Sequence, residues 1–287
     1  MTDLVAERRR YADALREKCG LESAALVRAL ATVPREQYLG PGPWDLLAAP
    51  AGLPLAYRAT PDADPVHLYQ DVLVSIDSAR HIHNGQPSFL AFLIDALAPA
   101  PGEHVVHVGC GTGYYTAVLA EMVGPEGRVT AVDVDPALAA RARENLTPLP
   151  QVTVVLADGT RHDPGPADAI LVNAGVTHPV PLWLDRLRPG GRLALPITVT
   201  APIGTLGGVF AIRREPQGYT AAFLTPVGIF GCIGGREPDE ERELASAIER
   251  GGWETVRSLR RDHHAIEADC WLHGDGFCFS RREVGRA

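Results

Sequence analysis

The stretch VVHVGCGTGYYTAVLA, residues 105–120, decides the fold. An apolar run of strand length meets three glycines, Gly109, Gly111 and Gly113, and these lead directly into an apolar segment with helical spacing. Glycines allow the tight reversal from strand to helix and let a ligand approach the main chain. The first N–H groups of the helix then face that ligand. Taken alone, the triplet is a weak signal, with a tight turn that binds nothing as its alternative.

Outward from this stretch the centre of the chain alternates. Strand-like runs lie at 104–108, 128–134, 152–157, 169–173 and 192–197, with helical patterns at 114–123, 136–146 and 180–187 between them. Apolar strands separated by helices predict a parallel sheet covered on both faces, an α/β Rossmann-like fold. In such a sheet the strand ends converge on one crevice. Asp133 closes the second strand twenty residues past Gly113, where a carboxylate can accept hydrogen bonds from both hydroxyls of a ribose. Its alternative duty is to cap the helix that begins at Pro136. Asp158 and Gly159 end the third strand on the same rim, where an ordinary Asp-Gly turn is the alternative. The glycine spacing is G-x-G-x-G, not the dinucleotide G-x-G-x-x-G, and the bulky Tyr114-Tyr115 pair follows. That favours an adenosyl ligand without a pyrophosphate, and no P-loop pattern is present.

Residues 3–32 carry helical spacing with a break at Gly20, and Pro34 to Pro65 read as a long irregular connection. A loop of that length is commonly functional or packed over a site. The apolar run 72–76 precedes the polar stretch DSARHIHNGQP, after which a helix is expected from Ser88 to Leu97 with Pro87 in its first turn. Beyond 200, GGVFAIRREPQGYTAAFLTPVGIF reads as a hairpin turning at EPQG. EPDEERELASAIERG reads as a charged surface helix, and ETVRSL and DCWLHGDGFCFS as final strands.

The formal charge of −8 argues against a general nucleic-acid binder, since nothing broad is available to neutralise phosphates. No apolar run is long enough for a membrane span, and the N-terminal stretch has no apolar signal core. Five scattered cysteines, at 19, 110, 232, 270 and 278, suit reduced thiols and a cytoplasmic location better than a disulfide framework.

These residues resemble class I S-adenosylmethionine-dependent methyltransferases, and within them the protein-L-isoaspartate O-methyltransferases. The resemblance runs in order through VPREQY (33–38), NGQP (84–87), the glycine loop, VTAVDVD, ADGT, VNAGVTHPVP (172–181) and PGGRLALPI (189–197). It covers roughly three quarters of the chain; the glycine loop is generic, whereas the V-P-R entry, the G-Q-P turn and the N-A-G stretch are more specific. It implies a seven-stranded methyltransferase sheet with S-adenosylmethionine as cofactor. Cofactor contacts then fall on His107, Gly109, Cys110, Gly111, Gly113, Tyr114, Asp133, Val134, Asp158, Gly159, Asn173 and Gln86. It also implies that the turn near 83–88 stands between cofactor and acceptor. The organisation expected is 1–75 as helices with a lid-like loop, 76–235 as the cofactor-binding core, and 236–287 as a C-terminal α/β extension.

Two positions depart from the family. His107 stands where an acidic residue is usual, and Gly85 stands where the family carries a serine of its T-I-S-[AQ]-P turn. The serine's role does not carry over. This points to a specialised relative acting on a peptide, a protein or a small-molecule acceptor, with a cofactor-binding protein lacking catalysis as a third class of reading. A carboxylate acceptor is already ionised at neutral pH and demands no general base. Asn84 and His83 are therefore the candidate catalytic residues, each able to orient an acceptor oxygen, and turn stabilisation is their alternative role. Arg80 is expected to form a surface ion pair, with a grip on a substrate carboxylate as the alternative. Cys110 at a helix N-terminus is expected to be a small filler. His263, His264, Cys270, His273 and Cys278 give the spacing C-x2-H-x4-C, which matches no standard zinc pattern, and no metal is expected. Arg257, Arg260 and Arg261 are expected to form a solvated face. Oligomeric state is not written in the sequence.

Overall fold

A computed structural model describes residues 3–48, 56–202 and 204–285. In chain order the elements are α1 (Leu4–Cys19), α2 (Ala24–Thr32), β1 (Asp45–Ala48), β2 (Ala56–Ala59), β3 (Leu73–Asp77), β4 (Ile82–His83) and α3 (Pro87–Leu97). There follow β5 (His104–Val108), α4 (Tyr114–Val123), β6 (Arg128–Asp133), α5 (Pro136–Asn145), β7 (Val152–Leu156), β8 (Ala167–Val172), α6 (Pro181–Arg186) and β9 (Leu187–Thr200). The chain ends in β10 (Thr205–Glu215), β11 (Gly218–Ile229), α7 (Pro238–Arg250), β12 (Ser258–Arg260), β13 (Cys270–Gly274) and β14 (Phe277–Ser280).

The expected alternation is present, and the fold is α/β and Rossmann-like. One ten-stranded sheet runs in the order β13-β14-β12-β11-β10-β9-β8-β5-β6-β7. The pairs β5–β8 and β8–β9 are parallel, and every pair from β9 outward to β13 is antiparallel. Local chemistry explains the boundaries. Asp3 and Ser23 cap α1 and α2 with side-chain oxygens, and Gly20 ends α1 at φ 64°. Pro87 and Pro136 stand in the first turns of α3 and α5, where a missing N–H costs nothing. The β10–β11 hairpin turns where EPQG is.

The chain divides into two compact units. One comprises Met1–Gly102, Cys110–Val129 and Asp135–Val154; the other comprises Glu103–Gly109, Thr130–Val134 and Val155–Ala287. In the first, the described residues 34–48 and 56–65 hold more regular structure than the expected irregular connection. β1 pairs antiparallel with both β2 and β3, and Leu39, Trp44, Leu68 and Val74 form a small core beside them. Pro and Gly on either side of these short strands hid them from a periodicity reading. The part of this segment at 49–55, expected to be lid-like, lies outside the described residues.

In the second unit one core joins the strands of the cofactor rim to the C-terminal residues. Val106, Ile170 and Leu193 share it with Leu244, Trp271 and Phe279. Phe210 at its centre lies 4.8 Å from Phe279 and 5.5 Å from Trp271, ring centre to ring centre. The residues after 235 therefore continue the same sheet and fill the same core. No helix among the described residues is long and apolar enough to cross a membrane.

Candidate active site

The second unit carries the strand ends. Gly109 follows β5 at φ 77°, its N–H donating to Val132 O at 2.8 Å. A Cβ there would stand 3.1 Å from Asn173 O, and Asn173 in turn donates to Val108 O at 2.8 Å and to Gly109 O at 3.4 Å. Glycine is needed at 109 because β5 and β8 close on each other at their ends. Gly159 is fixed in the same way, since a Cβ would meet Val108 Cγ1 at 2.6 Å. Asp133 ends β6 almost fully buried, at 7% exposure. Its carboxylate is not the helix cap: Asp135 caps α5, accepting from Ala137 and Leu138 N–H at 2.8 and 3.0 Å. Val134 beside it is 40% exposed, an unusual position for a large aliphatic at a strand end.

Asp158 does serve its turn. Oδ1 accepts from the N–H and hydroxyl of Thr160 at 2.9 and 2.7 Å, while Oδ2 lies 3.5 Å from Arg161 Nε. Gly234, at φ 80°, packs against this carboxylate so closely that a Cβ would stand 2.8 Å from Oδ1. The loop GCIGGR, residues 231–236, thus borders the rim. Its glycines were the signal for it, and sequence reading attached no role to them.

His107 is wholly buried in β5, and burial lowers its pKa to about 4. The imidazole is neutral at physiological pH and cannot supply the negative charge of the acidic residue usual in the family.

The remainder of the glycine loop belongs to the first unit. Gly111 at φ 57° has open space where a Cβ would stand. Gly113 at φ 97° caps α4, and a Cβ there would collide with Leu146 Cδ1 at 2.7 Å. Asn145 holds the loop by donating to Thr112 O at 2.9 Å. Cys110 is buried, as a filler would be. Tyr114, an expected cofactor contact, has its ring buried against Tyr115 and Tyr38, at 4.9 and 5.8 Å, and its main-chain N–H in the first turn of α4.

The 83–87 turn lies in the same unit. Asn84 Oδ1 accepts from Val74 N–H at 3.1 Å and from Arg35 Nη2 at 3.3 Å. This orients the amide, and Asn84 Nδ2 is buried without a hydrogen-bond partner among the described residues. Gly85 has φ 85°, and a Cβ there would meet Leu90 Cδ2 at 3.1 Å and Tyr115 Cε2 at 3.3 Å. Gln86, expected at the cofactor, instead spends its Nε2 on Asp71, donating at 2.8 Å to both the main-chain and a side-chain oxygen. Asp71 also accepts from Ser88 N–H at 2.8 Å and pairs with Lys18 at 2.6 Å. Burial raises the Asp71 pKa, but Lys18, Ser88 and Gln86 outweigh it and hold the carboxyl below its ordinary value. Burial, and then His81, lowers the His83 pKa, so that ring is neutral at pH 7. Tyr57 from β2 packs 6.2 Å from the His83 ring.

Arg35, in the VPREQY stretch, is a functional residue without a sequence signal: it is completely buried, donating to Leu68, Gln70 and Val72 carbonyls as well as to Asn84. Arg80 is taken by Asp77 at 2.6 Å and by Asp135, which is the expected ion pair. Arg260 and Arg261 are likewise paired, with Asp262, Glu267 and Asp185.

The second unit carries Gly109 at positive φ and the carboxylate of Asp133 at the end of the next strand, groups of the kind an adenosyl ligand uses. The first unit carries Gly111 and Gly113, both at positive φ, with open space where a Gly111 Cβ would stand.

Comparison with known proteins agrees with this. The pattern of the protein-L-isoaspartate(D-aspartate) O-methyltransferase family matches residues 56–204. A protein-L-isoaspartate O-methyltransferase of Ignicoccus hospitalis is 35% identical over 169 residues, 58% of this chain and 78% of the relative. One of Methylorubrum populi is 33% identical over 221 residues, 75% of this chain and 90% of the relative. One of Methanopyrus kandleri is 40% identical over 131 residues, but this chain spans only 58% of its length. A solved protein-L-isoaspartate O-methyltransferase superposes with TM-score 0.64 at 20% identity, over 91% of this chain and 74% of that one. A Plasmodium falciparum chain assigned to the same activity, in complex with S-adenosyl-L-homocysteine, gives TM-score 0.59 at 16% identity, over 78% of this chain and 97% of that one. At those identities the two structures share the fold. With half the chain inside the family pattern and relatives matched over most of their length, this chain belongs to the protein-L-isoaspartate(D-aspartate) O-methyltransferase family and is an S-adenosylmethionine-dependent methyltransferase.

Proposed function

We propose that the chain methylates a carboxylate, aspartyl or isoaspartyl, of a peptide or protein, as a specialised relative of the isoaspartyl repair enzymes. The observation that carries this reading is the Asn84 amide, a buried donor with no partner among the described residues, in the turn that aligns with the family's acceptor turn. A carboxylate acceptor is ionised at neutral pH. It needs a donor that aims its oxygen and a site that excludes water, and it needs no base. Val74 and Arg35 hold Asn84 Oδ1, so Nδ2 is fixed in direction before an acceptor arrives. His83, kept neutral by burial, adds no cation that would grip the carboxylate and hold it in the ground state.

The cofactor supplies a methyl group on a sulfonium when bound. Asp133 would accept from its ribose hydroxyls and the main chain of the glycine loop would hold it, with Asp158, Gly159, Val134 and Asn173 as further candidate contacts. His107, buried and uncharged, lies within β5.

The purified chain would be incubated with methyl-labelled S-adenosylmethionine and an isoaspartyl peptide beside its aspartyl twin. Base-labile label on either peptide is the expected result, since a methyl ester hydrolyses in base. Base-stable label, or none on either peptide while S-adenosylhomocysteine binds, would overturn the reading in favour of a small-molecule acceptor or a binding protein.

A further inference from the structure

His264, Cys270, His273 and Cys278 are brought together in the second unit, each offering a ligand atom, with all four atoms within 4.8 Å of one another. His263 is exposed and is not among them. The strand register explains why the sequence spacing hides this. Residues three apart on a regular strand point to opposite faces. Between Cys270 and Leu272 the β13–β14 register shifts by a bulge, which turns Cys270 to the side of His273. His273 stands directly opposite Cys278 across the hairpin, and His264 enters from the segment after β12.

Cys270 Sγ lies 3.6 Å from His264 Nε2, 3.8 Å from His273 Nδ1 and 3.0 Å from Cys278 Sγ. A tetrahedral zinc ion with sulfur at about 2.3 Å and nitrogen at about 2.0 Å separates its ligand atoms by roughly 3.3–3.8 Å. The two sulfur–nitrogen separations already match, and the sulfurs need to part by less than about 1 Å.

The surroundings are those of a ligand set. His264 Nδ1 bonds Asp262 O at 3.0 Å, with the Asp262 carboxylate 3.2 Å away, which fixes the tautomer and leaves the Nε2 lone pair facing the sulfurs. Arg260 holds Asp262 in place at 2.7 and 3.0 Å. Cys270 Sγ accepts from Glu267 N–H at 3.4 Å while its own N–H returns to Glu267 O at 3.0 Å, so a tight turn aims an amide at the sulfur. A disulfide between Cys270 and Cys278 would leave two imidazoles directed at it for no purpose, and both thiols are free.

We propose that His264 Nε2, Cys270 Sγ, His273 Nδ1 and Cys278 Sγ bind one zinc ion in a closed, structural Cys2His2 site. Each thiol releases its proton to solvent on binding, and the two thiolates neutralise the dication. Four protein ligands leave no position for a reacting water, so the ion's part is to pin the 261–269 segment to the β13–β14 hairpin at the edge of the sheet.

The full chain would be purified under a phosphine reductant, saturated with zinc, desalted and assayed by plasma mass spectrometry. About one zinc per chain is expected, retained by Cys19→Ser and lost from the Cys270→Ser, Cys278→Ser double variant. Should that double variant fail to fold, cobalt titrated into the chelator-stripped wild type decides. It should give the visible bands of tetrahedral cobalt and a thiolate charge-transfer band, saturating at about one equivalent and displaced by zinc. A wild type that retains no zinc, a double variant that retains all of it, or a cobalt spectrum without thiolate character would overturn the proposal.

Discussion

Asp133 and Asp135 stand two residues apart and are used differently. The Asp135 carboxylate is engaged by the first N–H groups of α5 and by Arg80, while that of Asp133 ends β6 nearly buried and, in the proposal above, binds a ribose. A hydrogen bond to a charged acceptor is worth about 1.5–3 kcal/mol. Asp133→Asn, which removes the charge and keeps the shape, should therefore weaken S-adenosylhomocysteine binding by about tenfold to a hundredfold in calorimetry. An affinity within about twofold of wild type would remove Asp133 from the cofactor contacts. His107 gives a second expectation. Its folded pKa of about 4 lies below the ordinary value near 6.5, so the unfolded chain takes up this proton first. The stability it contributes is intact above about pH 6.5 and falls away towards pH 4, by about 3 kcal/mol. Urea unfolding across that range should show this slope in the wild type and a shallower one in His107→Asn. Identical slopes would mean that the imidazole carries its proton when folded.

At the scale of elements, the 83–87 turn shows why a glycine stands where relatives are read to carry serine. Asn84 is clamped from two sides by Val74 and Arg35, and the chain then passes through φ 85° at Gly85 with Leu90 and Tyr115 closed over it. Gly85→Ser would place a side chain in a left-handed conformation that costs about 1–2 kcal/mol, and would press it into contacts tighter than ordinary packing. Chemical denaturation should report at least that loss, with no gain in methyl transfer; a variant that is fully stable and faster would show the serine role to be intact here.

How legible the elements were followed their periodicity. The central alternation, the helix break at Gly20 and the EPQG hairpin were plain because apolar spacing and glycine punctuation agreed. β1 and β2 were not, since strands of four residues between Pro and Gly carry too little period. The glycine loop and Asp133 could be singled out from spacing as a strand-to-helix turn and a carboxylate at the end of the next strand. Arg35 and Asp71 could not, because their duties depend on carbonyls and amides that only the folded chain brings near. The gathering of His264, Cys270, His273 and Cys278 was hidden for a related reason: a bulge changes which residues share a face without changing the sequence spacing.

At the scale of the whole molecule, the residues after 235 are part of the fold and not an appendage to it. Leu244, Val256, Leu259, Trp271, Leu272, Phe277 and Phe279 lie in the core that the cofactor-rim strands share. At roughly 1.5–3 kcal/mol per buried side chain they contribute about 10–20 kcal/mol, as much as the entire net stability of a domain. Truncation after Gly235 should yield aggregated or unfolded protein by circular dichroism and gel filtration. A folded, cofactor-binding fragment would show that the shared core is dispensable.

Methylation of a carboxylate, as we propose it, is guided by the Asn84 amide. Asn84→Asp tests it directly, because the carboxylate can keep both acceptor contacts, to Val74 and Arg35, while the Nδ2 donor becomes a negatively charged oxygen facing a negatively charged acceptor. Single-turnover methyl transfer to whichever twin peptide takes up label should slow by at least about a hundredfold, with S-adenosylhomocysteine affinity held within about threefold. Transfer at the wild-type rate would contradict the claim.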